Sequence, residues 1–276
     1  MRILVPLKQV PDPDASNRTR VSGDQTHLEF GSAEPKTNPF DEYALESALR
    51  LTEDGRAPRV RLGETVLVTL GSAQADVMLR AGLATGADRA YRVAAVDEEL
   101  DAARVAHVLA RIATREGCDL VIMGKQSVDG DGKEVGQRLA YVLGWPQATF
   151  VSRILARSEN TLELEREIDG GVQRVAVTLP AVITVDLRIV TSDGVRSTQT
   201  PADFRYSAGV RFAPLPAIMQ ARRKPLVVQD LMEFAPLPQR QLRYVKYDIP
   251  SAKSGGRVVS TPGELVQLLA CEAKVI

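Results

Sequence analysis

The sequence predicts an α/β fold: a mostly parallel sheet covered by helices on both faces, with a β-hairpin and an extended C-terminal arm. Three observations carry that expectation. Short apolar runs alternate with helical patterns through the first half of the 276 residues. Two stretches of period-two alternation flank Asp169-Gly170-Gly171, a hairpin signal. Beyond Pro225 the chain is punctuated by proline until a last helical pattern at about 262–273.

Ile3–Leu7 reads as a buried strand from its continuous apolarity. Residues 11–37 are polar and rich in Pro, Asp and Ser, which suits a long loop or an irregular hairpin. Asn38-Pro39 then starts a helix, Asn capping free amides and Pro occupying a first-turn position where its missing N–H costs nothing. Phe40, Ala44, Ala48 and Leu51 follow at helical spacing. Thr65–Leu70 is a second buried strand, turning at Gly71-Ser72 into a helix with Val77, Leu79 and Leu83 that stops near Gly86. Arg89–Val93 suits a third strand, and 101–116 is an amphipathic helix with Val105, Val108, Leu109 and Ile112 on one stripe. Leu120–Met123 is a strand, then comes a glycine-rich turn and a helix from about Lys133 to Leu143. Thr161–Ile168 and Gln173–Thr178 form the hairpin arms, and Ala181–Leu187 is a further apolar strand. From Ile189 to about Gly209 the chain turns polar and reads as an exposed excursion.

Composition narrows the chemistry. Thirty-five Lys+Arg balance thirty-five Asp+Glu, which argues against a polyanion binder held by bulk charge. No run approaches the twenty apolar residues of a membrane span. The opening Met-Arg-Ile-Leu-Val-Pro reads as a strand rather than a signal peptide, so the expected location is the bacterial cytoplasm, or the mitochondrial matrix if a presequence was removed. Cys118 and Cys271 make neither a disulfide framework nor a metal-ligand spacing. His27 and His107 leave little room for a zinc site or a Ser-His-Asp triad. No nucleophile, metal cluster or acid/base pair stands out, so no catalytic residue is expected.

The most informative stretch runs Gly124, Lys125, Gln126, Ser127, Val128, Asp129, Gly130, Asp131, Gly132, Lys133, Glu134, Val135. It lies between a buried strand and a helix, at the carboxyl end of the sheet, where open α/β folds bind ligands. Glycines admit close backbone approach, and a helix start offers unpaired amides to a phosphate. The spacing is neither a Walker A loop nor Gly-x-Gly-x-x-Gly. Asp129 and Asp131 suit Mg²⁺ or a ribose hydroxyl; the alternative is a solvated Asp-Gly turn. Asn38, Pro39, Phe40 and Asp41 serve as a helix cap, alone or together with ligand contact. The charged hairpin around Glu163–Gly171 reads first as a solvated edge. Leu215-Pro216-Ala217-Ile218-Met219, followed by Arg222, Arg223 and Lys224, is an apolar knob beside a basic cluster: either core plus a solvated face, or an anchor for an acidic partner with an apolar pocket.

Taken together these segments resemble the beta subunit of the electron-transfer flavoprotein family. The resemblance rests on Ile3–Lys8, Asn38–Leu51, Val68–Gln74, Ala81–Arg89, Asp119–Asp131, Gly144–Phe150, Leu164–Gly171 with Leu179–Leu187, and Ala213–Ala221. Arg166-Glu-Ile-Asp-Gly-Gly171 followed by Leu179-Pro-Ala-Val-Ile-Thr184 is the most specific part. It implies an adenine-nucleotide α-hydrolase-like fold, Rossmann-like in its three layers, and a heterodimer with an alpha subunit. FAD would be held mainly by alpha, and electrons would pass from flavin dehydrogenases toward a membrane quinone oxidoreductase. The beta subunit would be an electron-carrier subunit without turnover of its own, holding a structural AMP. By the resemblance AMP contacts Pro6, Asn38–Asp41, Leu70 and Gly124–Val135. Leu215 matches the family's protruding anchor, and Glu167 a residue that contacts alpha. The domains implied are a nucleotide-binding domain at 1–188, a partner-recognition segment at 189–225 and an arm on the alpha subunit at 226–276.

Two departures stand out. About twenty residues, roughly 191–210, are inserted before the knob. The aromatic residue many beta subunits carry near position 14 is absent from Pro11-Asp-Pro-Asp14. Val10-Pro-Asp12 and Asp129-Gly-Asp131 resemble the electron-bifurcating branch, in which FAD replaces AMP; Lys125-Gln126 and Trp145-Pro-Gln147 resemble the conventional AMP branch, which is favoured. A stand-alone nucleotide sensor of stress-protein type is a further alternative, but it needs no long C-terminal arm.

Overall fold

The computed structural model describes residues 1–14, 19–31, 34–55, 60–158, 160–197, 199–249 and 255–276. Residue 198 of the insertion and residues 250–254 of the expected arm thus lie outside the described residues. The chain divides into two units, Met1–Thr19 with Phe30–Tyr244, and Arg20–Glu29 with Val245–Ile276.

The first unit is built on strands β1 (Arg2–Pro6), β2 (Gln9–Pro11), β5 (Pro35–Thr37), β6 (Glu64–Gly71), β7 (Arg89–Ala94), β8 (Leu120–Gly124), β9 (Gln147–Arg157), β10 (Thr161–Ile168), β11 (Gly171–Thr178), β12 (Ala181–Val185) and β13 (Leu226–Asp230). Its helices are α1 (Pro39–Leu51), α2 (Asp76–Thr85), α3 (Ala102–Arg115), α4 (Val135–Leu143) and α5 (Leu215–Ala221). Nine strands form one sheet in the order β11-β10-β9-β12-β8-β1-β6-β7-β13. From β9 through to β13 neighbouring strands are parallel, and the β10–β11 hairpin adds the antiparallel edge.

Strand pleating sorts the core into two layers. Ile3, Val5, Leu67 and Ile122 point into a cluster with Ala44, Leu45, Leu79 and Leu83 of α1 and α2. Leu4, Val66, Val68 and Val121 meet Val108, Leu109 and Leu139 of α3 and α4 on the other side. The result is the three-layer α/β sandwich that the apolar runs imply. The chain leaves β1 toward β6 on one side, while β8 joins β1 from the other. The crevice beyond the carboxyl ends of β1 and β8 is therefore the switch point at which open α/β sheets bind ligands.

Of the two readings of the polar stretch 11–37, the irregular hairpin is the one formed: β2 pairs antiparallel with β5 and returns the chain to Asn38 beside the end of β1. Other expectations needed correction. Helix α4 begins at Val135, not Lys133, since Asp131 and Lys133 adopt left-handed φ values of 49° and 54°, which no helix can continue through. The segment expected to be an exposed excursion is in part core: Ile189, Val190, Val195 and Tyr206 are buried. Its polar composition hid this, because its backbone carbonyls are bound by a buried arginine of α1, described below. Leu226–Asp230, inside the segment expected as an arm, is the ninth strand of the sheet, parallel to β7.

The second unit holds a short hairpin, β3 (Arg20–Val21) with β4 (Leu28–Glu29), and helix α6 (Pro262–Leu268) capped by the Thr261 hydroxyl. Among its described residues only Ser22 is buried, and Val258, Leu265, Val266, Val275 and Ile276 are exposed. It has no apolar core among the described residues. Nor is any helix there or elsewhere in the described chain long and apolar enough to cross a membrane.

Candidate functional site

Asn38 and Asp41 sit at the start of α1, directly over the switch-point crevice. The Asn38 side chain does not cap the helix, contrary to the sequence expectation. Its Nδ2 donates to the Gln126 carbonyl at 2.9 Å and its Oδ1 accepts the Val128 amide at 3.2 Å, so it clasps the glycine-rich loop instead. Asp41 bridges the two strands of the crevice: Oδ2 accepts the amide of Lys8, just past β1, at 2.8 Å, and Oδ1 accepts the amide of Gly124, the end of β8, at 3.1 Å. Burial pushes its carboxyl up to about 7, against the downward pull of those amides. Between the ordinary value of 3.8 and 7 the folded chain keeps a proton that the unfolded chain has released. Asp41's contribution to stability is thus full at acidic pH and is lost as pH rises to about 7, by at most about 1.4 kcal/mol per pH unit. Melting curves from pH 5 to 8 should show this decline in the natural chain and a flatter profile in Asp41→Asn.

Gly124 is required by close approach. A Cβ there would lie 2.5 Å from Asp41 Oδ1 and 2.8 Å from the Phe40 carbonyl carbon. Gly132 differs: a Cβ there meets nothing within 4 Å. We expect Gly124→Ala to lower the melting temperature by an overpacking cost of about 1–3 kcal/mol, and Gly132→Val to leave it unchanged.

The loop itself is largely self-neutralised. Lys8 Nζ lies 2.8 Å from Asp129 Oδ1 and 3.4 Å from Ser127 Oγ, and Arg138 pairs with Glu134 at 2.9 Å. Asp131 accepts from Gln126 Nε2 at 2.7 Å. Its three acids are therefore engaged by neighbours, and no group of three metal-ligating side chains occurs among the described residues. Lys125 turns away from the loop amides. Its ammonium is 2.6 Å from Asp186 Oδ2 and lies 5.2 Å and 5.7 Å from the ring centroids of Phe40 and Phe150. By contrast, the amides of Gly132, Lys133 and Glu134 meet no acceptor among the described residues. Gly130 has open space beside it, and the left-handed residues at 131 and 133 alternate with their neighbours, a geometry that gathers backbone N–H groups into an anion-binding concavity. Pro6 is buried at the end of β1 and Leu70 is half-buried near the end of β6, on the same edge of the sheet. These features fit a nucleotide phosphate at the start of α4, with a base or ribose against Pro6, Leu70 and the Asn38–Asp41 turn.

Two further groups lie apart from the crevice. Glu167 on β10 pairs with Arg188 at 2.5 Å, which lowers its pKa through that hydrogen bond. In the knob, Leu215 is 71% and Phe212 92% exposed, with Ile218 and Met219 exposed beside them, so the apolar side of α5 faces solvent rather than core. Arg222 and Arg223 are exposed, but Lys224 does not stand with them. Its ammonium donates to the Leu83 carbonyl in the last turn of α2 and to the Ala87 carbonyl just past it, while Arg80 of α2 donates back to the Ala221 and Lys224 carbonyls. This reciprocal capping was invisible in a run of three cations.

Residues 30–233 match the electron transfer flavoprotein domain. Over its whole length the chain is 37% identical to the electron transfer flavoprotein subunit beta of Bradyrhizobium diazoefficiens, which it covers completely. The chain belongs to the electron transfer flavoprotein family. It is likewise 36% identical to the mitochondrial beta subunit of Arabidopsis thaliana over the full length of both. With the human beta subunit the identity is 35%, covering 98% of this chain and 96% of that one. Beta subunits of this family are electron-carrier subunits rather than catalytic enzymes, and the role of this one is flavin-associated electron transfer with an alpha-subunit partner.

Sequence reasoning missed Lys8, which closes the loop through Asp129, and Arg188, which holds Glu167. It also missed the buried charges of α1. Glu46 and Arg50 stand at i and i+4 on one face of the helix, and Glu53 follows two residues past its end. That face is what the inserted segment covers.

Proposed function

We propose that this chain binds AMP as a structural nucleotide, leaves FAD mainly to the alpha subunit, and relays electrons from flavin dehydrogenases toward a membrane quinone oxidoreductase. The observation that carries the nucleotide reading is the Asn38–Asp41 clasp at the switch-point crevice, facing a loop whose Gly132–Glu134 amides are unpaired among the described residues. FAD supplies the redox chemistry of the heterodimer. This chain's residues supply binding and docking: Asn38 orients the loop, the 132–134 amides receive the phosphate, and Leu215 with Phe212 offers an apolar anchor to the dehydrogenase. Glu167 offers a carboxylate to the alpha subunit. The second unit, without an apolar core among its described residues, suits an arm laid on that subunit and argues against a stand-alone nucleotide sensor.

Mass spectrometry of nucleotide released from the purified heterodimer tests this reading. One AMP per heterodimer beside one FAD is expected, and Gly132→Val should lower the AMP content without altering the FAD content. Two FAD per heterodimer would replace the AMP reading with the bifurcating type, toward which Asp129-Gly-Asp131 leans. No released adenine nucleotide beyond one FAD would overturn nucleotide binding in this subunit.

A further inference from the structure

A buried polar cluster lies at the far end of α1 from the crevice, apart from the residues proposed to bind the nucleotide. Arg211 reaches two carboxylates at once. Its Nε is 2.7 Å from Glu46 Oε2 and its Nη1 is 2.9 Å from Glu53 Oε2, while Nη2 reaches the second oxygen of each, at 3.0 and 2.9 Å. The two acids are only 4% and 2% exposed. Arg50 shares Glu46 at 2.7 Å and sends its remaining donors to backbone carbonyls, Thr191 at 2.6 Å, Ser207 at 2.9 Å and Gly209 at 3.0 Å. Two positive and two negative charges thus meet in a largely buried site, each with close hydrogen-bonded partners.

The cluster is placed to govern the knob. Arg50 holds carbonyls from both ends of the inserted segment, pinning its base to α1. Arg211 comes next in the chain and is followed directly by exposed Phe212. Leu215 lies four residues past Arg211, with Pro214 before it and Pro216 after it limiting the backbone. Past α5, the Arg80 and Lys224 contacts hold the other end. α5 turns its large apolar side chains outward and packs on α2 through its small side, where Ala221 is buried, so the two attachments flank a narrow contact in setting its position.

We propose that Arg211 is a positioning residue for partner docking, its clamp on Glu46 and Glu53 presetting the Phe212–Met219 knob for an apolar pocket on the flavin dehydrogenase. The inference rests on the docking reading of Leu215 given above. Presetting a surface removes the ordering cost otherwise charged to binding. A lysine cannot substitute, since its ammonium lacks the planar fork that spans two carboxylates.

The test is made on the whole heterodimer, measuring dehydrogenase-linked flavin reduction against partner concentration for Arg211→Lys, Glu53→Gln, Leu215→Ala and the Arg211→Lys/Leu215→Ala pair. Arg211→Lys should raise the KM for the partner on the order of tenfold, with kcat and the AMP and FAD contents unchanged. Glu53→Gln, which keeps shape and one acceptor, should fall between it and the natural chain. In the double variant Arg211→Lys should add little, because the anchor it positions is gone. A raised KM in Leu215→Ala alone, with Arg211→Lys and Glu53→Gln unchanged, overturns the positioning role and leaves the docking reading standing. Unchanged KM in all variants overturns both. Full additivity in the double variant, or a fall in kcat at constant KM, also overturns the positioning role.

Discussion

Leu215→Ala should raise the KM for a flavin dehydrogenase at least fivefold while leaving flavin and nucleotide contents of the heterodimer unchanged. The side chain is 71% exposed in this chain, so its removal opens no cavity and costs the fold little. Its value lies in the partner's pocket, where truncating a desolvated anchor costs about 1–4 kcal/mol, and about 1 kcal/mol is already a factor of five. Phe212 and Met219 flank it and would exclude water around it once docked. Arg222 and Arg223 stand at the rim, where charges act on association rate rather than on the lifetime of the complex. Reversing Arg222 should therefore slow electron delivery modestly at low ionic strength and have little effect at high salt. Lys224 belongs to a different class: its half-buried ammonium caps α2, and its loss should register as destabilisation. Steady-state reduction across partner concentrations checks the result, and a KM unchanged in Leu215→Ala would return the knob to an ordinary exposed surface.

Arg50→Ala should destabilise the chain by about 3–5 kcal/mol, the usual penalty for breaking a buried pair by removing one partner. Three effects combine. Glu46 loses one of its two guanidinium partners, the carbonyls of Thr191, Ser207 and Gly209 lose their donor, and the Tyr206 ring loses the guanidinium lying 4.7 Å from its centroid. Melting of the heterodimer should fall on the order of 10 °C. The same cluster has an acid signature. Burial alone would raise the Glu46 pKa, but the hydrogen bonds and charges of Arg211 and Arg50 outweigh it and hold it below the ordinary carboxylate value. A lowered folded pKa gives stability that is full above the unfolded value near 4.5 and is lost as pH falls further. Acid unfolding should accordingly begin at higher pH in Arg50→Ala than in the natural chain, and coincident acid profiles would contradict this account.

Much of the site was legible because backbone chemistry announces itself locally. A glycine-rich turn between a buried strand and a helix marks an anion-binding edge whatever its neighbours are, and Asn38-Pro39 marks a helix start. Which polar groups would be consumed internally was not legible. Asn38 reads as a cap and instead holds the 126–128 backbone; Lys125 lies in the glycine-rich loop, yet its ammonium is taken by Asp186. Those outcomes depend on which residues from distant segments arrive at the same edge of the sheet, 61 positions apart in the case of Lys125 and Asp186.

The sequence by itself determined the three-layer α/β class, seven of the nine strands of the main sheet, the hairpin and the location of the crevice loop, because periodicity and turn chemistry act over a few residues. Tertiary structure alone decided that a polar insertion would be part of the core. Its carbonyls could enter only because Arg50 and Arg211, carried by segments about 160 residues apart, bring donors and charges that cancel the cost of burying it. Burial of a polar segment is a property of the partners that meet it, and no local pattern records who they are.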